Sequence, residues 1–195
     1  MKRCFDLLFS IVGILLLSPV LIFIAMVIVL ESKGGVIYKQ TRVGRHNKDF
    51  NLFKFRTMFV NSDQKGLLTV GKKDARITKS GYILRQSKLD ELPQLFNIIK
   101  GDMSLIGPRP EVRKYVNLYT PEQLQVLTVR PGLSDLASLE YINENELLAQ
   151  SETPEELYIS TIMPAKLKLN LEYIQKQSFI FDLQLIFKTI SKIIF

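Results

Sequence analysis

The run of apolar and polar positions divides this chain into three stretches. The first, Leu7 to Leu30 (LLFSIVGILLLSPVLIFIAMVIVL), holds 24 residues without one Asp, Glu, Lys or Arg. A straight helix of that length extends about 36 Å, enough to cross a bilayer core. A soluble core helix seldom stays apolar on every face for so long. Lys2 and Arg3 give the run the look of a secretory signal, but it is too long for one, and no small-x-small cleavage site precedes Glu31. Near its middle, Ser18-Pro19 removes a backbone donor and favours a kink. A kinked spanning helix and a re-entrant helix-break-helix both fit that pair. Charge favours re-entry: Lys2 and Arg3 precede the run, while Lys33, Lys39, Arg42, Arg45 and Lys48 follow it, so both flanks are held in the cytoplasm. Two half-helices of about eleven residues would each reach only part-way across the core.

From Val36 to Met58 the alternation is short and strand-like (VIYKQTRVG, then FNLFKFRTM), which predicts two short strands or a hairpin. Helices are predicted over 80–85, from Asp90 to Lys100 with Gly101 ending it, and over 121–129, 144–149, 154–162 and 165–177. Glycines and prolines punctuate these segments, Gly66 and Gly71 among them. In the last stretch, Phe179 to Phe195, Gln184, Lys188 and Lys192 fall at i, i+4 and i+8 with Ser191 beside them, and nearly everything else is apolar. That is the pattern of an interfacial helix on an anionic leaflet. A terminal helix docked on a soluble core is the alternative, and it would leave Ile193-Ile194-Phe195 hard to bury. The predicted fold class is α/β and mainly helical: a re-entrant membrane anchor over 1–32, a compact cytoplasmic domain with a few short strands over 33–178, and an interfacial amphipathic helix over 179–195.

Composition narrows the chemistry. With one cysteine, Cys4, and one histidine, His46, the chain has no intramolecular disulfide framework, no cysteine zinc site and no His-rich metal site. A Ser-His-Asp triad is equally disfavoured. Lys and Arg number 26 against 19 Asp and Glu, a net charge of +7, and such a surface seeks anions. Nucleic acid is a poor fit, because aromatics are not interleaved with the cations as a stacking platform requires, and the apolar first stretch would be unexplained.

The segment RQSKLDELPQL (85–95) holds the densest chemistry. Asp90 and Glu91 sit just before a predicted helix whose Pro93 suits a first turn. As plain structure, Asp90 caps that helix and Glu91 favours its positive end. As chemistry, a helix start with Arg85 and Lys88 nearby binds phosphate, an aspartate there can attack phosphorus and form an acyl phosphate, and a neighbouring glutamate can hold Mg²⁺. In GDMSLIGPRP (101–110) two prolines stiffen the loop that carries Arg109, whose planar fork suits a pair of phosphate oxygens. Lys54-Phe55-Arg56 places two cations on one face of a strand, and Arg130 lies on the constrained turn Arg130-Pro131-Gly132. Each of these has a structural explanation by itself, as a tight turn or a solvated strand face.

Together the motifs KFRTM (54–58), LRQSKLDELPQLFNIIKGDMSLIGPRP (84–110) and RPGLSD (130–135) resemble the bacterial sugar transferases, the small monotopic phosphoglycosyl transferases. KRCFD (2–6), the Ser18-Pro19 break and SFIFDL (178–183) agree with the same family. The resemblance implies that Asp90 attacks the β-phosphate of a UDP-sugar, that UMP departs, and that a polyprenyl (undecaprenyl) phosphate then takes the phosphosugar from the aspartate. It implies catalytic roles for Asp90 and Glu91, with Mg²⁺ held by Asp90 and Glu91 or Glu91 assisting the second attack. Lys54, Arg56, Arg85, Arg109 and Arg130 become the substrate-binding cations. It also implies a re-entrant anchor at Ser18 and Pro19, and a place on the cytoplasmic face of the bacterial inner membrane among its lipids. One departure stands out: family members often carry an aspartate in the helix before the SF-x-x-D segment, where this chain has Asn170. A homodimer is left open, and so is a contrasting reading as a non-enzymatic, basic, membrane-anchored scaffold for anionic lipid.

Overall fold

The computed structural model describes residues 1–60 and 74–194, so Gly66, Gly71 and Phe195 lie outside the described residues. Helix α1 runs from Lys2 to Glu31 as a single 30-residue element. Helical hydrogen bonding continues through Ser18-Pro19, where a kink or a break was expected. Pro19 has no N–H for the Leu15 carbonyl, and Ser18 Oγ donates to that carbonyl instead, at 2.8 Å. The bond that proline removes is supplied by its neighbour's hydroxyl.

Among the described residues α1 is the one helix long and apolar enough to cross a membrane. Leu8, Phe9, Leu15, Leu16, Phe23 and Leu30 are exposed along it. Its other side is fastened to the folded domain from end to end. At the start, Lys2 Nζ donates to the Ile106 carbonyl at 2.9 Å and pairs with Asp182. The buried Asp6 accepts from Ser104 Oγ at 2.8 Å and from the Leu105 N–H at 3.2 Å. Midway, Leu95 lies against Gly13, and Ile14 packs on Leu52, Leu95, Ile98 and Met103. At the far end Ile24 and Ile28 are buried with Phe55 and Leu84, and Glu31 accepts from the Ser80 N–H at 3.1 Å.

Strands β1 (Ile37–Val43) and β2 (Asp49–Phe55) form the expected antiparallel hairpin, in register from Val43↔Asp49 to Ile37↔Phe55. The five residues 44–48 join the strands, with His46 and Asn47 in the left-handed region at φ 58° and 60°, a conformation asparagine tolerates better than most residues. Helix α2 (Lys79–Gln86) is capped by Thr78, whose Oγ1 accepts from the Gly81 N–H at 3.0 Å. The helix expected from Asp90 begins later. Leu89–Glu91 is a 3-10 turn, and α3 covers Gln94–Lys100. Gly101 ends α3 at φ 97°, as expected. Asn97 of α3 continues the β2 edge with its side chain, accepting from the Phe53 N–H at 2.9 Å and donating to the Asn51 carbonyl at 2.7 Å.

Two segments expected as stiff loops contain a parallel strand pair, β3 (Ser104–Ile106) with β4 (Gly132–Ser134). Three residues are too few to show an alternation. The backbones meet so closely that a Cβ on Gly132 would lie 2.1 Å from the Gly107 nitrogen. Gly132 N–H donates to the Pro108 carbonyl at 3.0 Å and Gly107 N–H to the Ser134 carbonyl at 3.1 Å, which locks the loop carrying Arg109 onto the 130–135 segment.

The remainder is helical: α4 (Arg113–Val116), α5 (Leu136–Glu140), α6 (Glu144–Ala149) and α7 (Pro154–Leu157), then α8 (Met163–Lys176) and α9 (Phe179–Ile194). A 3-10 turn, Gln123–Thr128, stands where a helix was expected, and a π-helical turn, Tyr158–Ile162, joins α7 to α8. Tyr115, Val126, Leu148, Tyr158 and Leu167 form the core beneath them. In α9 Leu185 is buried against Ile106, Leu139 and Tyr173, while Ile180 and Phe187 are exposed, so the helix is amphipathic and docked at once. Lys192, expected on the cationic stripe of that helix, donates to the Leu139 carbonyl.

Candidate active site

The chain between α2 and α3 turns sharply at Lys88, which sits in the left-handed region at φ 59°. For a residue with a Cβ that conformation is strained, and such strain collects at functional sites. The turn carries Asp90 and Glu91 into a cavity of about 900 Å³. Lys54 from β2, Arg85 from α2, Lys88 and Arg109 line the same cavity, four cations around two carboxylates.

The two carboxylates are not equivalent. Glu91 Oε1 accepts from Lys54 Nζ at 3.0 Å and from the Arg109 guanidinium. Asp90 is buried, at 5% exposure, and forms no ion pair among the described residues. Nor does it cap α3, which has no side-chain cap bond. Burial pushes the Asp90 carboxyl above its ordinary value, with Lys54 opposing. Burial acts on Glu91 in the same direction, but Arg109 and Lys54 outweigh it and hold that carboxyl well below the usual range. Neighbouring acids driven apart by their surroundings are the mark of divided roles. Glu91 holds the cations, and Asp90 is left unpaired on the cavity wall.

The same contacts test the fit to Mg²⁺. Glu91 is engaged by two cations, and no group of three or more His, Cys, Asp or Glu side chains converges among the described residues. Asp90 fits as a single carboxylate ligand, because Mg²⁺ is commonly bound by one or two carboxylates with water and phosphate oxygens completing its shell.

Two expected substrate cations stand elsewhere. Arg56 is buried against the end of α1, where its guanidinium donates to the carbonyls of Ser32 at 2.7 Å, Ile28 at 3.4 Å and Lys33. The strand ends at Phe55, so Lys54 and Arg56 part: one turns to Glu91, the other closes the helix. Arg130 Nε donates to the Gly101 carbonyl at 2.9 Å and is absent from the cavity wall. Arg56→Met is therefore expected to lower stability by about 1.5–3 kcal/mol, the worth of charged hydrogen bonds, while turnover per folded molecule is retained. Thermal unfolding in detergent beside a rate assay checks both. Residues that sequence reasoning missed include Arg42 and Tyr158, which converge on Glu111 from opposite sides, Arg42 at 2.9 Å. They lie far apart in the chain, and no local pattern joins them.

A helix apolar and long enough to cross a membrane is thus fastened to a domain whose cavity sets two unlike carboxylates among cations. The family model for bacterial sugar transferases matches residues 1–195, and the chain belongs to that family. It is 38% identical, over 99% of its length, to a UDP-N-acetylgalactosamine-undecaprenyl-phosphate N-acetylgalactosaminephosphotransferase of Aeromonas hydrophila. It is 35% identical, over 98% of its length, to the UDP-glucose:undecaprenyl-phosphate glucose-1-phosphate transferase of Escherichia coli. The chain spans 43% and 40% of those two relatives. It spans 87% of the uncharacterized sugar transferase EpsL of Bacillus subtilis, at 36% identity.

Proposed function

We propose that this protein transfers a sugar-1-phosphate from a UDP-sugar to polyprenyl (undecaprenyl) phosphate and releases UMP, the first membrane step in building a bacterial glycoconjugate. The observation that carries the reading is the unpaired Asp90 beside a Glu91 that holds Lys54 and Arg109 in one cavity. In the first half-reaction an Asp90 carboxylate oxygen bonds to the β-phosphorus as the bond to the UMP oxygen breaks, leaving an aspartyl phosphosugar. In the second, a phosphate oxygen of the lipid attacks the same phosphorus and the aspartate carboxylate is restored. Lys54, Arg85 and Arg109 offset the charge that shifts among the phosphate oxygens. Mg²⁺ held by Asp90 would add a positive charge for those oxygens when bound.

The anchor is read as re-entrant, on the cytoplasmic face of the inner membrane. Its support is that Lys2 and Glu31, at opposite ends of α1, both bind the same folded domain. A helix crossing the bilayer would put its two ends on opposite sides of a core about 30 Å thick, where one domain cannot bind both. The exposed Ile180 and Phe187 of α9 extend the apolar surface that α1 begins. The cavity also reaches Phe9 of α1 and Ile186 and Ile190 of α9, which offers a lipid acceptor a way in from that surface.

The test is UMP release by detergent-purified protein with Mg²⁺, undecaprenyl phosphate and a panel of UDP-sugars. Release with a subset of donors, dependent on the lipid for turnover, is expected. Folded protein that releases no UMP with any donor overturns the reading.

A further inference from the structure

Beyond the phosphate-binding cluster the cavity continues between α5, α6 and α8, and there its wall changes character. Ser138, Asn143, Glu144, Lys166 and Asn170 line it. Lys166 is engaged with Glu144 at 2.5 Å, so its charge is answered within the wall. Asn170 follows one helical turn later on the same face of α8. It is 4% exposed, and its Oδ1 has no hydrogen-bond partner. A second acceptor is in the same condition on α5, which packs on α8: Asp135 uses Oδ1 to cap its helix, accepting from the Ser138 N–H at 3.0 Å, while its buried Oδ2 has none.

A buried acceptor left without a donor costs about 1–3 kcal/mol, and native proteins rarely keep one without a reason. The chemistry of the missing partner follows from the parts of a nucleotide sugar. Ionised phosphate oxygens only accept. The uridine brings one uracil N–H and two ribose hydroxyls. A sugar ring brings several hydroxyls, and an acetamido substituent brings an N–H together with a carbonyl. An asparagine amide can accept from one such group and donate to another, whereas the ionised aspartate that family members often carry here can only accept.

We propose that Asn170 is a specificity-determining residue that hydrogen-bonds the sugar ring of the donor, and so selects among UDP-sugars. This rests on the UDP-sugar reading of the cavity. Asn170 acts on binding and choice of donor, and Asp90 keeps the chemistry.

The experiment uses Asn170→Leu and Asn170→Asp in the full chain. It measures affinity for UMP and for UDP-glucose, UDP-galactose and their 2-acetamido counterparts, in an Asp90→Asn background so that nothing turns over, with turnover measured separately. The leucine fills similar space without an unanswered acceptor, so the ligand-free variant is expected to be as stable as the parent or more so. Affinity for the preferred UDP-sugar is expected to fall at least tenfold with UMP affinity unchanged, and Asn170→Asp is expected to reorder the donors. An equal loss for UMP and every UDP-sugar would assign the contact to the nucleoside and overturn the proposal, as would unchanged affinities. A fall in ligand-free stability with donor preference intact would make Asn170 structural. Selective UDP-sugar binding without turnover in the parent would sink the transfer reaction and leave this proposal standing, while no UDP-sugar binding at all would sink both.

Discussion

Asp90→Asn is expected to cut UMP release at least about 10³-fold, about 4 kcal/mol of barrier, and to leave the protein folded. The carboxylate that the proposed mechanism uses as nucleophile is removed while shape and burial are kept. Stability should hold or rise. Burial raises the Asp90 carboxyl above its ordinary 3.8, with Lys54 opposing. At neutral pH the ionised group therefore weighs against the folded state, and the neutral amide removes that cost. For the same reason the acid limb of the parent's kcat/KM should lie above 3.8. UMP release, thermal unfolding and a pH–rate profile check the three parts. The variant also separates an enzyme from a lipid-binding scaffold, since a scaffold would keep its membrane affinity and lose nothing. Full turnover in Asp90→Asn would remove the covalent mechanism.

Glu91→Ala is expected to fail differently, through the cavity's architecture. Lys54 and Arg109 share one oxygen of Glu91, and the alanine leaves both cations facing each other. Breaking such a buried pair costs about 3–5 kcal/mol. Here the lower end applies, about 3 kcal/mol, because the two cations are 20% and 30% exposed to water. Rate should fall along with stability, since both cations lose the group that aims them. The pH signature has a definite sign. Burial raises the Glu91 carboxyl, but the stronger pull of Arg109 and Lys54 leaves it well below its ordinary 4.5. Its stabilisation is thus complete above 4.5 and drains away as pH falls below that value toward the folded-state pKa. Denaturant unfolding of metal-free protein between pH 6 and 3 should slope more steeply in the parent than in Glu91→Ala. Parallel slopes would mean that the two ion pairs do not form in solution.

These two substitutions concern neighbours in one motif, and their separation shows what a sequence can carry. Asp-Glu among cations admits phosphate chemistry from the residue types, and plain helix capping equally. Nothing in the order LDELPQL says which acid is paired. That is decided by Lys54 and Arg109, which arrive from 37 and 18 residues away, once the left-handed turn at Lys88 aims Glu91 at them.

The sequence by itself determined the elements whose cause is local. The apolar first stretch, the hairpin over 36–58, the stop at Gly101 and the bounds of α6 and α8 follow from period, turn residues and charge, and the family resemblance rides on contiguous motifs. Tertiary structure decided whatever depends on distant partners. Ser18-Pro19 read as a kink or a break, and only the structure shows the Ser18 hydroxyl taking up the Leu15 carbonyl and α2, α3 and β3 packing on the helix. Arg56 and Arg130 read as phosphate ligands, Arg56 as a cation sharing a strand face with Lys54 and Arg130 from its constrained turn with Pro131 and Gly132. Each found backbone carbonyls first, at the ends of α1 and α3. The β3–β4 pair was hidden because three residues show no period, and its register depends on two glycines 25 positions apart meeting backbone to backbone. Asn170 was visible only as a departure from a pattern. Its unanswered oxygen exists only because α8 packs it into the cavity wall, where burial removes the water that would otherwise have satisfied it.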